Sequence, residues 1–411
     1  MFRITLPKSH SNFCSAPWMT TYIEPTGEVK PCCVNIATSY GNLTDTTFND
    51  IIKGDSIKDF RKQFLNNERP AECHNCWAAE QLGNESLRNS FNTSYFNSNF
   101  ITQTKADGTY DDFVVLYYDI RPSNLCNFAC LMCCSQLSSG FHKLTDELGL
   151  LGDTYDRPRF IKISEDRFNE IMDYIDLTLP ENAANCHFYF AGGEPLIMPE
   201  HERILNYLTE NKFFDVSVRY NTNMSSLKFK DTNRIDVWKN FKKLIIDASI
   251  DSAGLAGEIQ RHGSDWSLIK SNLQLLKDNN INVTINSVIT MLTYPTLLDT
   301  INELEDIFTR DYLTKNITLT VARHPPHFTI SMIPKQYMDL SIIDELELRG
   351  YNIASIKNHI NNFTESDEEI AYNWGMLIRL ANRLKKLKNV NINDILPWFD
   401  DYIEQNYAAN A

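Results

Sequence analysis

The chain has 411 residues, 43% of them hydrophobic, and a formal net charge of −14. That length allows one large domain and a smaller module, and the apolar content suffices for packed cores, which excludes a disordered chain. The acidic balance argues against nucleic acid or anionic lipid as partners; no apolar run reaches the length of a membrane span and MFRITLPKSHSNFC lacks a secretory signal, so a cytoplasmic protein is expected.

Nine of the ten cysteines lie at or before residue 134, one stands at 186, and the final 225 residues have none. In a long chain of intracellular type such clustering points to metal ligation or redox work. Soft thiolates in sets of three or four select zinc or iron-sulfur clusters.

Residues 1–100 scatter Gly, Pro, Asn and Cys irregularly around one helix-like stretch, FNDIIKGDSIKDFRKQFLNN, as a small metal-organised module would. Cys14-x12-Gly27-x4-Cys32 and Cys73-x2-Cys76 supply two pairs of thiolates for a closed site, and on ligand count zinc and 4Fe-4S both suit it. The polar, turn-rich ITQTKADGTYDD (101–112) ends the module.

From residue 113, β-rich runs alternate with amphipathic stretches of helix length. Strands are expected at 114–120, 186–190, 214–220, 243–250, 281–290 and 317–322, with helices in RFNEIMDYI, HERILNYLTE, WSLIKSNLQLLKDN and PTLLDTINELEDIF. Such alternation implies parallel βαβ units with right-handed crossovers. Periodicity is compatible with a closed or partly closed barrel and with an open doubly wound sheet. After 334 the pattern is helical, including EEIAYNWGMLIRLANRLKKLKN, and this tail is expected to pack on the outside or ends of the sheet.

Directly after the 114–120 run stands RPSNLCNFACLMCC, containing Cys126-x3-Cys130-x2-Cys133. Three thiolates on one tight loop can cap three irons of a 4Fe-4S cube and leave the fourth iron open to a substrate or cofactor. In spacing and position this resembles the radical SAM superfamily, whose C-x3-C-x2-C follows the first strand of a partial (β/α)6 barrel. The resemblance implies that α/β fold. It also implies that S-adenosylmethionine (SAM) chelates the open iron and is cleaved to a 5'-deoxyadenosyl radical, which takes a hydrogen atom from a substrate.

Further motifs follow in the family's order. Gly192-Gly193-Glu194-Pro195 resembles the GGEP motif, whose strand end and Glu meet the methionyl amine. Asn221 and Asn223, in YNTN after the third strand, resemble the family's Thr-Asn; Ser249 and Asp251 resemble its Ser-x-Asp near the ribose. Arg261, in Arg261-His262-Gly263, resembles the Arg-x-Gly that pairs with the methionyl carboxylate, a task its fork of donors suits. Met132 stands where the family usually has an aromatic residue and is soft and apolar enough to pack on adenine.

The stretch FCSAPWMTTYIEPTGEVKPCC resembles the start of the SPASM and twitch modules of radical SAM enzymes, with their C-x(9 to 15)-G-x4-C pattern. It implies an auxiliary second 4Fe-4S cluster on Cys14, Cys32, Cys73 and Cys76, one cluster as in the twitch type, with Cys33 a spare neighbour. The organisation implied is an auxiliary-cluster module over 1–100, the radical SAM barrel over 113–330 and a helical extension over 331–411. The module stands before the barrel, whereas the family usually has it after. Cys134 and Cys186 read as buried thiols. His324 and His327 in ARHPPHF, Asn286 and Tyr189 are candidates for the barrel mouth, against a plainer reading of the histidines as part of an exposed Pro-bounded loop.

The function implied is oxidative modification or crosslinking of a peptide. Dehydrogenation of a small molecule such as a sugar or aminocyclitol is the second reading, and a non-catalytic iron-sulfur or zinc protein on a degenerate barrel the third. The expected partners are an electron donor such as flavodoxin or ferredoxin and the peptide or small-molecule substrate.

Overall fold

The computed structural model describes residues 6–35, 37–81, 83, 85–150, 160–362 and 366–407. The chain divides into two compact units, each assembled from several segments. The first comprises Met1–Asn124, Phe160–Arg219 and Val237–Leu244; the second comprises Leu125–Arg159, Tyr220–Asp236 and Ile245–Ala411. Strands β1 (Thr20–Ile23), β2 (Glu28–Lys30) and β3 (Gly41–Asn42) open the chain. They are followed by β4 (Tyr117–Ile120), the short β5 (Ala129–Cys130), β6 (His187–Phe190), β7 (Ser217–Thr222) and a hairpin of β8 (Lys228–Phe229) and β9 (Thr232–Asn233). After them come β10 (Lys243–Ser249), the short β11 (Arg261–His262), β12 (Val283–Ile289) and β13 (Ile317–Val321). All six runs expected as strands are strands: β4, β6, β7, β10, β12 and β13.

In the first unit β1 pairs in parallel with β4, and β4 with β6, while β2 and β3 continue antiparallel from β1. The register sets Thr20 opposite Tyr117 and Ile23 opposite Ile120, so the cysteine-rich segment joins β4 through main-chain hydrogen bonds. Tyr118 and Phe188 stack at 4.8 Å across β4 and β6. Helix Glu165–Asn182 buries Phe168, Ile171, Ile175 and Leu179, spaced by three or four residues so that they share one face. Ser164 caps its start by accepting the Arg167 N–H. The single helix-like stretch expected near residue 54 is two helices, Phe48–Lys53 and Asp55–Leu65, because Gly54 takes an extended conformation between them.

In the second unit β10, β12 and β13 are parallel, with Ser249 opposite Asn286 and Asn286 opposite Thr318. Helix Leu297–Ile307 buries Leu297, Ile301 and Leu304 at the same helical spacing, each contributing about 1.5–3 kcal/mol. Helix Asp367–Lys388 begins with a capping box of Ser366 and Glu369 and ends in Lys385, Lys386 and Lys388, charges that complement the helix dipole. The fold is thus mixed α/β with mostly parallel strands, a cysteine-rich N-terminal region and a helical C-terminal region. Among the described residues no helix is long and apolar enough to cross a membrane.

Candidate functional site

The cysteine loop belongs to the second unit and is tied down along its length. Cys133 N–H donates to the Cys130 carbonyl at 2.9 Å, and Leu131 N–H to the Gln260 carbonyl at 2.8 Å. β5 pairs antiparallel with β11, which sets Cys130 opposite Arg261. Helix Ser139–Glu147 abuts the loop: Ser138 Oγ donates to the Phe128 carbonyl at 3.0 Å, and Ser139 Oγ accepts the Cys126 N–H at 3.2 Å. Cys126, Cys130 and Cys133 are all partly exposed.

Gly140 makes this approach possible, since a Cβ there would lie 2.3 Å from the Phe128 carbonyl oxygen. Gly140→Ala is therefore expected to push the helix off the loop at a cost of about 1–3 kcal/mol. The thermal midpoint should fall and less iron should be retained after anaerobic gel filtration. Wild-type behaviour on both counts would show that the loop does not depend on this contact.

Arg261 is clamped. Its Nε lies 2.7 Å from Asp251 Oδ2, its Nη2 donates to Oδ1 at 2.9 Å, and its Nη1 points at Cys130 Sγ, 3.9 Å away. Asp251 is 1% exposed and also accepts from Val288 N–H and Gln260 Nε2, each at 2.9 Å. Every oxygen of this carboxylate is engaged within the protein, so Asp251 orients Arg261. Burial disfavours the guanidinium charge, but Asp251 and the Cys130 thiol outweigh it and hold the group protonated. Burial pushes the Cys130 thiol up while Arg261 opposes the rise. Cys133 is held well above the ordinary thiol range by hydrogen bonding with Cys134 and by burial.

Asn223 Nδ2 donates to Asn127 Oδ1 at 3.0 Å, and Asn127 Nδ2 to Ser225 Oγ at 2.9 Å, tying the segment after β7 to the cysteine loop. Asn221 Oδ1 accepts from Ser249 Oγ at 2.7 Å. Within the second unit Asp251 and Arg261 are thus linked to Cys130, Asn223 is linked to Asn127 of the cysteine loop, and Asn221 is paired with Ser249. Met132 is half-buried in the loop. Sequence reading missed Asn127 and Gln260, two polar neighbours of the motifs whose partners are remote in sequence.

Gly192-Gly193-Glu194-Pro195 lies in the first unit, just past β6. Gly192 and Gly193 have φ of 76° and 43°, and a Cβ on Gly192 would sit 2.6 Å from Arg121 Cδ. Both conditions demand glycine. Glu194 is buried and accepts the Leu196 N–H at 3.0 Å, capping the turn Pro195–Ile197. Arg121 forks onto the buried Asp119 at 3.0 and 3.1 Å, an ion pair the sequence did not suggest.

The four N-terminal thiols all lie in the first unit. Asn92 Oδ1 accepts the Ser15 N–H at 2.9 Å while its Nδ2 donates to the Phe13 carbonyl at 2.8 Å, pinning Cys14 from both sides. Arg88 bridges the same carbonyl, at 2.8 Å, to Glu80 on the Cys76 helix, His74–Gln81. Cys32 follows β2, and Cys73 closes the turn Ala71–Cys73. Burial pushes all four thiols up, Cys73 to about 12; Cys14 feels Cys73 and Cys76, and Cys32 feels Cys14 and Cys73.

A metal that strips the protons from such a set offsets the cost of burying it, so the donor chemistry fits a thiolate-bound centre. Among the described residues no three Cys, His, Asp or Glu groups are gathered as for one metal ion.

Cys134 is exposed, which corrects the expectation of a buried thiol. It occupies the turn leading into the Ser139 helix, its carbonyl accepting the Leu137 and Ser138 N–H groups. Cys186 is 1% exposed, in agreement with the sequence. Cys33 is exposed and near enough to Asp119 and Arg121 to feel both charges. His324 is exposed; His327 is half-buried against Phe328, and burial lowers its pKa to about 4. Asn286 on β12 and Tyr189 on β6 are half-buried.

Residues 120–309 match the family model of the Radical SAM superfamily, and residues 14–77 match that of SPASM, an iron-sulfur cluster-binding domain. No curated protein matches the chain. Among solved structures it is similar to native anSMEcpe with bound AdoMet, at 16% identity and a TM-score of 0.37, over 60% of this chain and 66% of that one. It is also similar to Streptococcus suis SuiB bound to precursor peptide SuiA, at 15% identity and a TM-score of 0.39, over 86% and 76%. The chain thus spans just under two thirds of the length of that anSMEcpe structure, and 48% of the one with bound AdoMet and Cp18Cys peptide, to which it is 19% identical at a TM-score of 0.33 over 49% of its own length.

Proposed function

We propose that this chain, whose residues 120–309 match the Radical SAM superfamily model and residues 14–77 the SPASM iron-sulfur cluster-binding domain, is a radical SAM enzyme that uses SAM and 4Fe-4S clusters as cofactors for oxidative modification or crosslinking of a peptide. The observation that carries this reading is the loop of Cys126, Cys130 and Cys133, held by β5 and β11 with Cys130 opposite Arg261. When bound, SAM and its cluster supply a 5'-deoxyadenosyl radical able to take a hydrogen atom from an unactivated carbon.

The residues have the following proposed tasks. Cys126, Cys130 and Cys133 hold the SAM cluster, and Arg261, kept in one orientation by Asp251, faces the methionyl carboxylate. The resemblance to the GGEP motif assigns Gly192, Gly193, Glu194 and Pro195 to the methionyl amine; Asn221, Asn223 and Ser249 are assigned to the rest of the molecule, and Met132 to adenine. Cys14, Cys32, Cys73 and Cys76 hold the auxiliary cluster, which takes an electron from the substrate or positions it. The proposed organisation is an auxiliary module over 1–100, a barrel over 113–330 and a helical extension over 331–411, served by a flavodoxin or ferredoxin.

Two measurements test this. Reduced protein should convert SAM to methionine and 5'-deoxyadenosine, and a peptide encoded beside it should lose hydrogen atoms by mass spectrometry; the absence of 5'-deoxyadenosine would sink the proposal. Arg261→Ala should weaken SAM binding by about 1.5–3 kcal/mol, the worth of a charge-assisted pair. Circular dichroism on the same samples controls for the unpaired Asp251 left behind. Unchanged calorimetric affinity would remove Arg261 from the SAM site.

A further inference from the structure

Near Cys14, Cys32 and Cys73 is a buried hydroxyl that the protein leaves without a hydrogen-bond partner, and close to that hydroxyl is a guanidinium nitrogen in the same state. Tyr40 is 5% exposed and its hydroxyl has no hydrogen-bond partner; Arg61 is 2% exposed and its Nη2 has none either. Both are rigidly held. Tyr40 N–H donates to the Val29 carbonyl at 2.8 Å, and the ring meets Phe60 edge-on at 6.2 Å. Arg61 Nε donates to the Pro17 carbonyl at 2.9 Å, and its guanidinium lies 4.8 Å over the Phe113 ring. The Tyr40 hydroxyl is close enough to Cys14, Cys32, Cys73 and Arg61 to interact electrostatically with all four, and burial together with the three thiols keeps it protonated.

A buried donor left unsatisfied carries a substantial free-energy cost and is rare in native structures. Here both orphans are donors, and the Tyr40 hydroxyl neighbours a set of sulfurs that become anionic acceptors once a metal centre forms. Hydrogen bonds to cluster sulfurs are one of the protein's means of setting a reduction potential. We propose that Tyr40 donates a hydrogen bond to the sulfur of the four-thiolate centre and, backed by the Arg61 cation, raises the reduction potential of the auxiliary cluster. Tyr40 is thus a positioning and tuning residue for electron transfer, which no motif assigns. The inference rests on the reading of Cys14, Cys32, Cys73 and Cys76 as an iron-sulfur site.

The test uses the full chain, reconstituted anaerobically, with Cys126, Cys130 and Cys133 replaced by alanine so that only the auxiliary centre remains. Its midpoint potential for one-electron reduction by dithionite is followed by electron paramagnetic resonance, with and without Tyr40→Phe. Losing the donor destabilises the reduced, more negative state, so the potential should fall by on the order of tenfold in the reduction equilibrium, which is about 59 mV for a one-electron couple. Site-specific 3-fluorotyrosine at position 40, with a more acidic hydroxyl, should move it the other way and serves if the phenylalanine variant loses its cluster. Four irons with an unmoved potential in both variants would overturn the role of Tyr40 while leaving the auxiliary cluster intact. Zinc without iron would overturn the iron-sulfur reading and the inference with it.

Discussion

Replacing Cys126, Cys130 and Cys133 together by alanine is expected to halve the iron and sulfide of the reconstituted protein, from about eight of each per chain to about four, and to abolish reductive SAM cleavage. The three thiols sit on one loop whose backbone is fixed by Gln260, by Arg261 through β11 and by the helix from Ser139. Removing them deletes the ligands while leaving those main-chain contacts in place. The fold should therefore survive, and the missing irons should report ligation alone. Iron and sulfide assays on the purified variant settle the point. Retention of about eight irons would mean that the SAM cluster is held elsewhere.

Ligand substitution in the N-terminal set gives the second large effect. Changing Cys14, Cys32, Cys73 and Cys76 to alanine should remove one cluster, leave the Cys126 cluster able to cleave SAM, and stop turnover of the proposed peptide substrate, because the second centre is proposed to act on the substrate and not on SAM. Cys14 is pinned by Asn92 and Arg88 independently of any metal, so the segment retains protein contacts when its thiols are lost. A structural zinc would behave differently, since its loss acts through folding. Zinc in the wild-type protein beside only about four irons, with unfolding of the cysteine variant, would leave a one-cluster enzyme with a zinc knuckle.

Much of the fold was legible in local patterns. Strands β4, β6, β7, β10, β12 and β13 were marked by β-rich runs of short length, and helices such as Glu165–Asn182 by apolar residues every three or four positions. Strands β1–β3 were not, because β1 (Thr20–Ile23) is buried at every position and shows no alternation. Its role became visible only through its pairing with β4, nearly a hundred residues on in sequence.

The sequence by itself determined the chemistry available: three thiols spaced for one loop, four more for a closed centre, and glycines where Gly192 and Gly193 require positive φ. Spacing within a loop is a covalent property, so it can be read before folding. The tertiary structure alone decided which groups face one another. It turned Asp251 onto Arg261, tied Asn127 to Asn223, exposed Cys134, and left the Tyr40 hydroxyl without a partner near the N-terminal thiols, with Arg61 Nη2 also unpartnered close to that hydroxyl. Each of these depends on strands and helices that come from distant parts of the chain, and on the burial that makes an unpaired polar atom costly.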